Sequence, residues 1–484
     1  MQLTSTTKQN PLGLNIDFLF GRGFLWARQA RLSDWIVLEN LRMEIPDLQF
    51  PFDARGGVSR FRNTRCLVRE IEISISEAGL QDLIERAASQ IEGFEELNIR
   101  LNEGVAHVSL KLSAFGANSH VSFRVALIPP EPARNDEVHL SIYDYRAFGP
   151  LPYPARVLAT ELLTSLLNTP ALRPPGRGDA FTVGVAGDIL SLHQIKLLLL
   201  YLFPSHGWKL PNLAGVVLDG ARIRPGQLSL RASSRGERWH DPSSATFKSY
   251  QIMGTLEGAR AVAAYEAKDL FSSVDTVLFE GGLERALEQL AALRDRYGPH
   301  PELIARTLDC LLSEPSPANL AEATAICKDL IEEDPEDLQA LLALPSIARH
   351  EQRSTQEILE RYELLAHCLR QRHELDDWVL CQITMAQLIL EREPEQAATY
   401  LREILKVSPR HMDALELLAH LYERVGEWNG YEEALKRLTG VYTDRASLLK
   451  TYLSLANHLL DRRGEPAEAR LYLEKVLRLD PTNL

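Results

Sequence analysis

The sequence predicts an α+β domain followed by an all-α solenoid of helical hairpins. Three observations carry that prediction. Residues 281–481 return to one sequence unit about every 37 residues, the mark of stacked hairpins that cannot bury their apolar faces singly. Residues 67–232 instead alternate apolar and polar side chains with a period of two, as half-buried strands do. Between them, residues 233–249 are polar and turn-rich, running through Ser-Ser-Arg-Gly and then Asp-Pro-Ser-Ser. Such a stretch marks a domain boundary. A chain of 484 residues exceeds one core, and the divisions read from it are a lead-in over 1–66, an α+β domain over 67–240 and a solenoid of about six hairpins over 250–484.

Within the lead-in, residues 24–35 read as a short helix in which Phe24, Trp26 and Trp35 mix with Arg28 and Arg31. Aromatic and arginine residues on one helix can sit at a bilayer interface, and they can equally dock on the domain they precede. Arg55, Arg60, Arg62, Arg65 and Arg69 then crowd a stretch that could meet anionic headgroups or simply form a solvated strand face.

From Leu67 the strands begin. Ile71, Ile73 and Ile75 alternate with Glu70, Glu72 and Ser74. Ser76 opens a helix over 77–90 whose apolar side is Leu80, Leu83, Ile84 and Ala87. Alternating runs follow at Leu97/Ile99/Leu101, Val108/Leu110/Leu112, Val121/Phe123/Val125 and Val138/Leu140/Ile142, then an apolar helix over 155–167. Residues 181–232 repeat the order. A strand over 181–189 leads to Ser191 and a helix over 192–203, in which Ile195, Leu198 and Leu199 match Leu80, Leu83 and Ile84 at an offset of 115. Two such copies predict two related strand–helix–strand halves.

The solenoid is keyed by small residues in the second helix of each unit: Ala286, Ala323, Ala397, Ala434 and Ala469. Pro335, Pro409 and Pro481 each follow one of these alanines by twelve residues, where a proline ends the helix. The last unit is the clearest, with Leu453, Asn457, Leu460, Gly464, Ala469 and Leu473. Another unit carries Leu418, Tyr422, Gly426 and Ala434, with 426–430 as a longer turn. This pattern resembles the tetratricopeptide repeat (TPR), a helical hairpin whose small residues let two antiparallel helices cross closely. A plain helical bundle is the competing reading, but bundles do not repeat their turns at a fixed period. The resemblance implies a protein partner bound through the repeats. The final helix, 465–479, places Leu471 and Tyr472 among charged neighbours, which marks them as candidate contacts for a partner or a second copy.

The doubled unit of residues 67–232 is similar to tubular lipid-binding domains of the BPI/SMP-like superfamily. There a twisted sheet wraps a helix and its inward side chains hold acyl chains. That resemblance would make Ile71, Ile73, Ile75, Leu80, Ile84, Leu198 and Leu199 the lining for an apolar ligand. Read from the residues alone, the same side chains fill a core.

Charge and motifs narrow the function further. Residues 1–240 hold 26 Lys+Arg against 24 Asp+Glu, whereas 241–484 hold 27 against 42. An acidic helical half repels phosphates and argues against nucleic acid as its partner, although acidity also serves solubility. Five cysteines without CxxC spacing read as small buried side chains in a reducing compartment. The sequence contains no HExxH, GxSxG, Walker A or GxGxxG motif, and its histidines are scattered. There is no run of eighteen apolar residues and no secretory pattern at the N-terminus. The expectation is a non-catalytic cytoplasmic adaptor without metal or cofactor, binding a protein through its repeats. The alternative is a lipid carrier that uses the repeats as a docking arm.

Overall fold

The computed structural model describes residues 14–19, 22–31, 36–45, 63–64, 66–88, 94–114, 117–128, 137–150, 155–156, 158–159, 183–186, 189–193, 209, 211–213, 215–234, 271, 273–274, 277, 282–298, 300–442 and 444–481. The chain divides into two compact units, Met1–Ser313 and Glu314–Leu484.

The first unit holds two six-stranded antiparallel sheets, and the second is all helical. One sheet is ordered β1-β2-β3-β4-β12-β11, from Asn15–Leu19, Arg22–Arg31, Ile36–Ile45, Leu67–Ser76, Gln227–Ser234 and Val216–Arg224. The other is ordered β5-β6-β7-β8-β10-β9, from Phe94–Leu101, Val105–Ala114, Ala117–Ile128, Glu137–Phe148, Ile189–His193 and Val183–Ala186. On β4 the alternation works as expected. Ile71 pairs with Leu41 and Ala232, and Ile73 with Leu38 and Leu230, all in one buried core. The polar side of the same sheet is tied by ion pairs. Glu44, buried, accepts from Arg22 Nη1 at 3.0 Å and from Arg69 Nε at 2.7 Å.

Helix α1 (Glu77–Ala88) starts where Ser76 predicts, since Ser76 Oγ accepts from Gly79 N at 3.2 Å. Its polar side chains then close the free edge of β5. Gln81 Oε1 accepts from Ile99 N at 2.8 Å and Glu77 Oε2 from Leu101 N at 2.6 Å, while the Gln81 amide donates to the Leu97 carbonyl. Covering an edge in this way removes a template for unwanted strand pairing. The β11–β12 turn is Pro225-Gly226, with Gly226 at φ 76°. A proline followed by a positive φ is what a type II turn needs. Gly226 N donates to Leu101 O at 3.1 Å, joining the tips of the two sheets.

Two expectations for this unit fail. Residues 24–31 do not form a helix: β2 and β3 are an antiparallel pair, with Leu25 and Ala27 buried and Trp26 on the other face bonding Asp17 Oδ2 at 2.6 Å. The rest of that expected helix, 32–35 with Trp35, lies outside the described residues. Gln29 at φ 48° interrupts the strand, and this break hides the two-residue period. The lead-in is therefore part of the sheet, because β3 pairs with β4. Ser191 does not open a helix either. It lies inside β10, opposite His139. An apolar run as short as 189–193 fits strand or helix equally, and sheet pairing decides it. The remainder of the expected helix, with Ile195, Leu198 and Leu199, lies outside the described residues, as do 160–167 and 235–249.

Two helices after the sheets, α2 (Leu283–Tyr297) and α3 (Pro301–Ser313), belong to the same compact unit. Buried Arg156 explains their attachment. Its guanidinium lies 3.6 Å from Glu302 and 3.5 Å from Asp309 of α3 and stacks 4.3 Å over the Tyr145 ring of β8. Arg306, also buried, pairs with Glu302 at 2.7 Å and covers the Phe271 ring.

The second unit runs α4 (Pro317–Glu333), α5 (Leu338–His350), α6 (Thr355–Gln371), α7 (Leu375–Ile389), α8 (Pro394–Val407), α9 (Met412–Val425), α10 (Trp428–Leu438), α11 (Arg445–His458) and α12 (Pro466–Leu479). A π-helical turn, Leu459–Arg463, extends α11. The termini are written in the sequence. Ser316, Asp337, Ser354 and Asp444 cap helices through their side chains at 2.7–3.2 Å. Prolines occupy the first turn of α4, α8 and α12. Gly426 and Gly464 end α9 and the π turn at φ 79° and 68°, a conformation glycine adopts without penalty.

Candidate partner-binding surface

Ala286, Ala323, Ala397, Ala434 and Ala469 are all buried. Ala323, Ala397 and Ala469 share one register, with Pro335, Pro409 and Pro481 in the exposed turns two residues past the ends of α4, α8 and α12. Ala434 departs from it. Counted from Gly426, as Ala469 is from Gly464, the equivalent residue is Tyr431. The reason lies beside it at Gly430, where a Cβ would come within 2.8 Å of the Tyr422 ring. The close approach of α9 and α10 thus falls on Gly430. The expected long turn 426–430 is corrected with it, because Trp428 already begins α10.

The π turn shifts a second register. In α9 the residue four before the closing glycine, Tyr422, is buried. Its counterpart by spacing, Leu460, is exposed, and Leu459 is buried instead. One inserted residue does this, the usual effect of a π bulge. Leu453 and Asn457 rotate with it, half-buried and exposed.

On α12, Leu471 is 58% exposed and Leu477 45% exposed. Tyr472 is half-buried. Its ring lies 6.1 Å from that of Tyr452, and Lys475 Nζ sits 4.9 Å from Tyr472 and 5.2 Å from Tyr452. Leu471 therefore presents a free apolar side chain beside a tyrosine already held in place. An exposed Arg470–Glu474 pair at 3.0 Å flanks it.

The Glu432 carboxylate is the most connected acid of the terminal hairpins. Its Oε1 accepts from Lys436 Nζ at 2.6 Å and its Oε2 from Arg463 Nε at 3.1 Å. Burial pushes its pKa up, but these two cations outweigh burial and hold it below the usual carboxylate range. Arg463 also donates to Asn429 Oδ1 at 2.6 Å. His458, buried, faces the same carboxylate and packs on Trp428 and Tyr431, with ring centroids 5.7 and 5.5 Å away. Sequence reasoning missed this residue. Its signal was a histidine where the shifted repeat, by analogy with Leu421, calls for an apolar side chain.

The other expected residues are placed as follows. Ile71 and Ile73 lie in one core, whereas Leu80 and Ile84 pack against the other. Ile75 is buried on β4. Leu127 and Leu140 pack against both cores, and Leu198 and Leu199 lie outside the described residues. All five cysteines are buried, and none is joined in a disulfide. Among the described residues no cluster of three or more His, Cys, Asp or Glu could hold a metal ion, and no helix is long and apolar enough to cross a membrane.

No family model matches the chain, and no curated protein matches it. Solved structures with some likeness include MamA, at 16% identity over 38% of this chain and 98% of that one, with a TM-score of 0.28. A tetratricopeptide repeat protein from Parabacteroides merdae is 18% identical over 44% of this chain and 80% of its own, with a TM-score of 0.29. PilW, a widely conserved type IV pilus biogenesis factor, is 15% identical over 38% and 96%, with a TM-score of 0.20. Likeness at this level says nothing of activity or partner. The alanine–proline register, the glycine caps and the unbroken run of helices stand on this chain alone, and they make its C-terminal half a tetratricopeptide-like helical repeat.

Proposed function

We propose that the chain is a non-catalytic scaffold whose helical repeats bind a protein partner carrying a basic surface. The observation that carries this reading is the charge of the repeat unit. Residues 314–484 hold 20 Lys+Arg against 31 Asp+Glu, a net of −11, while 1–313 hold 33 against 35. A stack of hairpins turns that excess into one extended field, which speeds encounter with a basic partner and orients it. The apolar contact within that field is Leu471, seconded by Leu477, with Tyr472 stiffening the surface beside them. Crosslinking mass spectrometry with a carboxylate-reactive reagent on the tagged full chain in its host tests this. Partner crosslinks should fall on 314–484 and fade when Leu471 is replaced by Glu. Crosslinks confined to 1–313 would overturn the reading.

A further inference from the structure

His458 is buried, yet neither of its ring nitrogens has a hydrogen-bond partner. Such an omission is costly for a neutral imidazole, because one nitrogen must carry a proton with nowhere to donate it. Nε2 points at Glu432 Oε2 from 3.5 Å, too far for a hydrogen bond and close enough for an ion pair. That oxygen is already held by Arg463 Nε at 3.1 Å, and the other carboxylate oxygen is held by Lys436. The arrangement thus sets two donors, Arg463 and the His458 ring, against one acceptor atom. Imidazole is the side chain whose charge changes between pH 5 and 8.

We propose that His458 is a proton-operated latch between α10 and the π turn. Proton uptake at Nε2 turns the 3.5 Å approach into a charge-assisted hydrogen bond to Glu432 Oε2 and releases Arg463 from that oxygen. A buried imidazolium has to be paired, whereas Arg463, with a side chain 39% exposed, can turn to water. Its release loosens the π turn, whose inserted residue already disrupts the helical ladder. The charged neighbours act in a defined way. From α10 come Glu432 and Lys436, and Glu468 of α12 bears on Lys436. From the π turn come Arg463 and Arg462, the latter stacked 4.6 Å over Trp428. Glu423 of α9 acts on Tyr431, which shields the imidazole ring. Two cations already share the Glu432 carboxylate, so a third positive charge competes with them, and Arg463 is the one that shares an oxygen with His458.

Amide exchange of residues 459–465 in the full chain, corrected for the intrinsic pH effect, tests the latch. Exchange should be about fivefold faster at pH 5.5 than at pH 8, the loss of one partly exposed ion pair. His458→Phe keeps the ring between Trp428 and Tyr431 and should abolish the pH response. Arg463→Gln should show the fast exchange already at pH 8 and no further change on acidification. The His458 ring signals in NMR should titrate over the same interval, a readout that holds even if His458→Phe does not fold. A His458 that stays in one form from pH 5.5 to 8 overturns the proposal. So does an unaltered pH response in Arg463→Gln, or a π turn equally protected at both pH values in the parent chain.

Discussion

At the scale of single residues, the fold depends on where small side chains meet helices. Ala469 is fully buried on α12. Replacing it with Leu forces three carbon atoms into a packed seam and should destabilise the repeat unit by about 1–3 kcal/mol. Thermal unfolding of Ala469→Leu measures this, and an unchanged melting temperature would put the crossing elsewhere. The cysteines give a second residue-level test. Burial pushes the Cys66 thiol up to about 11 and the Cys327 thiol to about 12, the latter helped by Asp337. Burial likewise raises Cys368 and Cys381. Since the thiolate is the reactive form, a maleimide at pH 8 should label these four only as fast as the native chain opens.

At the scale of elements, much was legible because a side chain at several boundaries does the same work in sequence and in structure. Ser76, Ser316, Ser354, Asp337 and Asp444 cap the helices that follow them. The Ile71/Ile73/Ile75 alternation was legible too, since one sheet face is buried whatever strand lies beside it. What could not be read was pairing at a distance. Strands β2 and β10 carry apolar runs that either local structure would accept, and only their neighbours β3 and β8 fix them as strands. The candidate surface was half legible. Leu471 is exposed as expected, but Tyr472 is held by Tyr452 and Lys475 from outside its own sequence neighbourhood. The register of α10 was hidden because one glycine, Gly430, moves the crossing by a turn. Caps also give this scale its pH dependence. The Ser447 backbone N–H, bonded to Asp444 Oδ2 at 2.7 Å, holds the Asp444 carboxyl below its ordinary range. A carboxyl depressed in the folded state stabilises at every pH above its unfolded value, and that stabilisation is lost as pH falls through the folded one. Asp444→Ala should therefore cost about 1 kcal/mol at pH 7 and progressively less as pH falls below about 4. Urea midpoints at pH 7 and pH 3 check it: a deficit as large at pH 3 would show that the cap does not act through its charge.

For the whole molecule, the consequential feature is which helices travel with the sheets. Repeat periodicity alone starts the helical array before Ala286, because α2 has the same alanine in the same place as α8 and α12. Side-chain chemistry assigns α2 and α3 otherwise. Arg156 follows β8 in the chain and reaches Glu302 and Asp309 of α3 while lying on Tyr145. With Arg306 against Glu302 and Phe271, two cations and two carboxylates balance inside one compact unit. Removing one member of a buried set costs more than the set's net contribution, because the charge left behind has lost its counterion and has no water in its place. Arg156→Met keeps the apolar stem of the side chain and removes the guanidinium. It should lower the stability of the sheet unit by about 3 kcal/mol. The carboxylates are about 30% exposed, so part of that loss is recovered from water, and the shortfall should shrink at high salt. The same pairs fix where the chain can be divided. A fragment of residues 1–313 keeps Glu302 and Asp309 opposite Arg156 and should unfold in one transition near that of the sheet unit in the full chain. A fragment of 1–240 lacks both and should melt at a lower temperature. Equal melting temperatures for the two fragments would return α2 and α3 to the helical array.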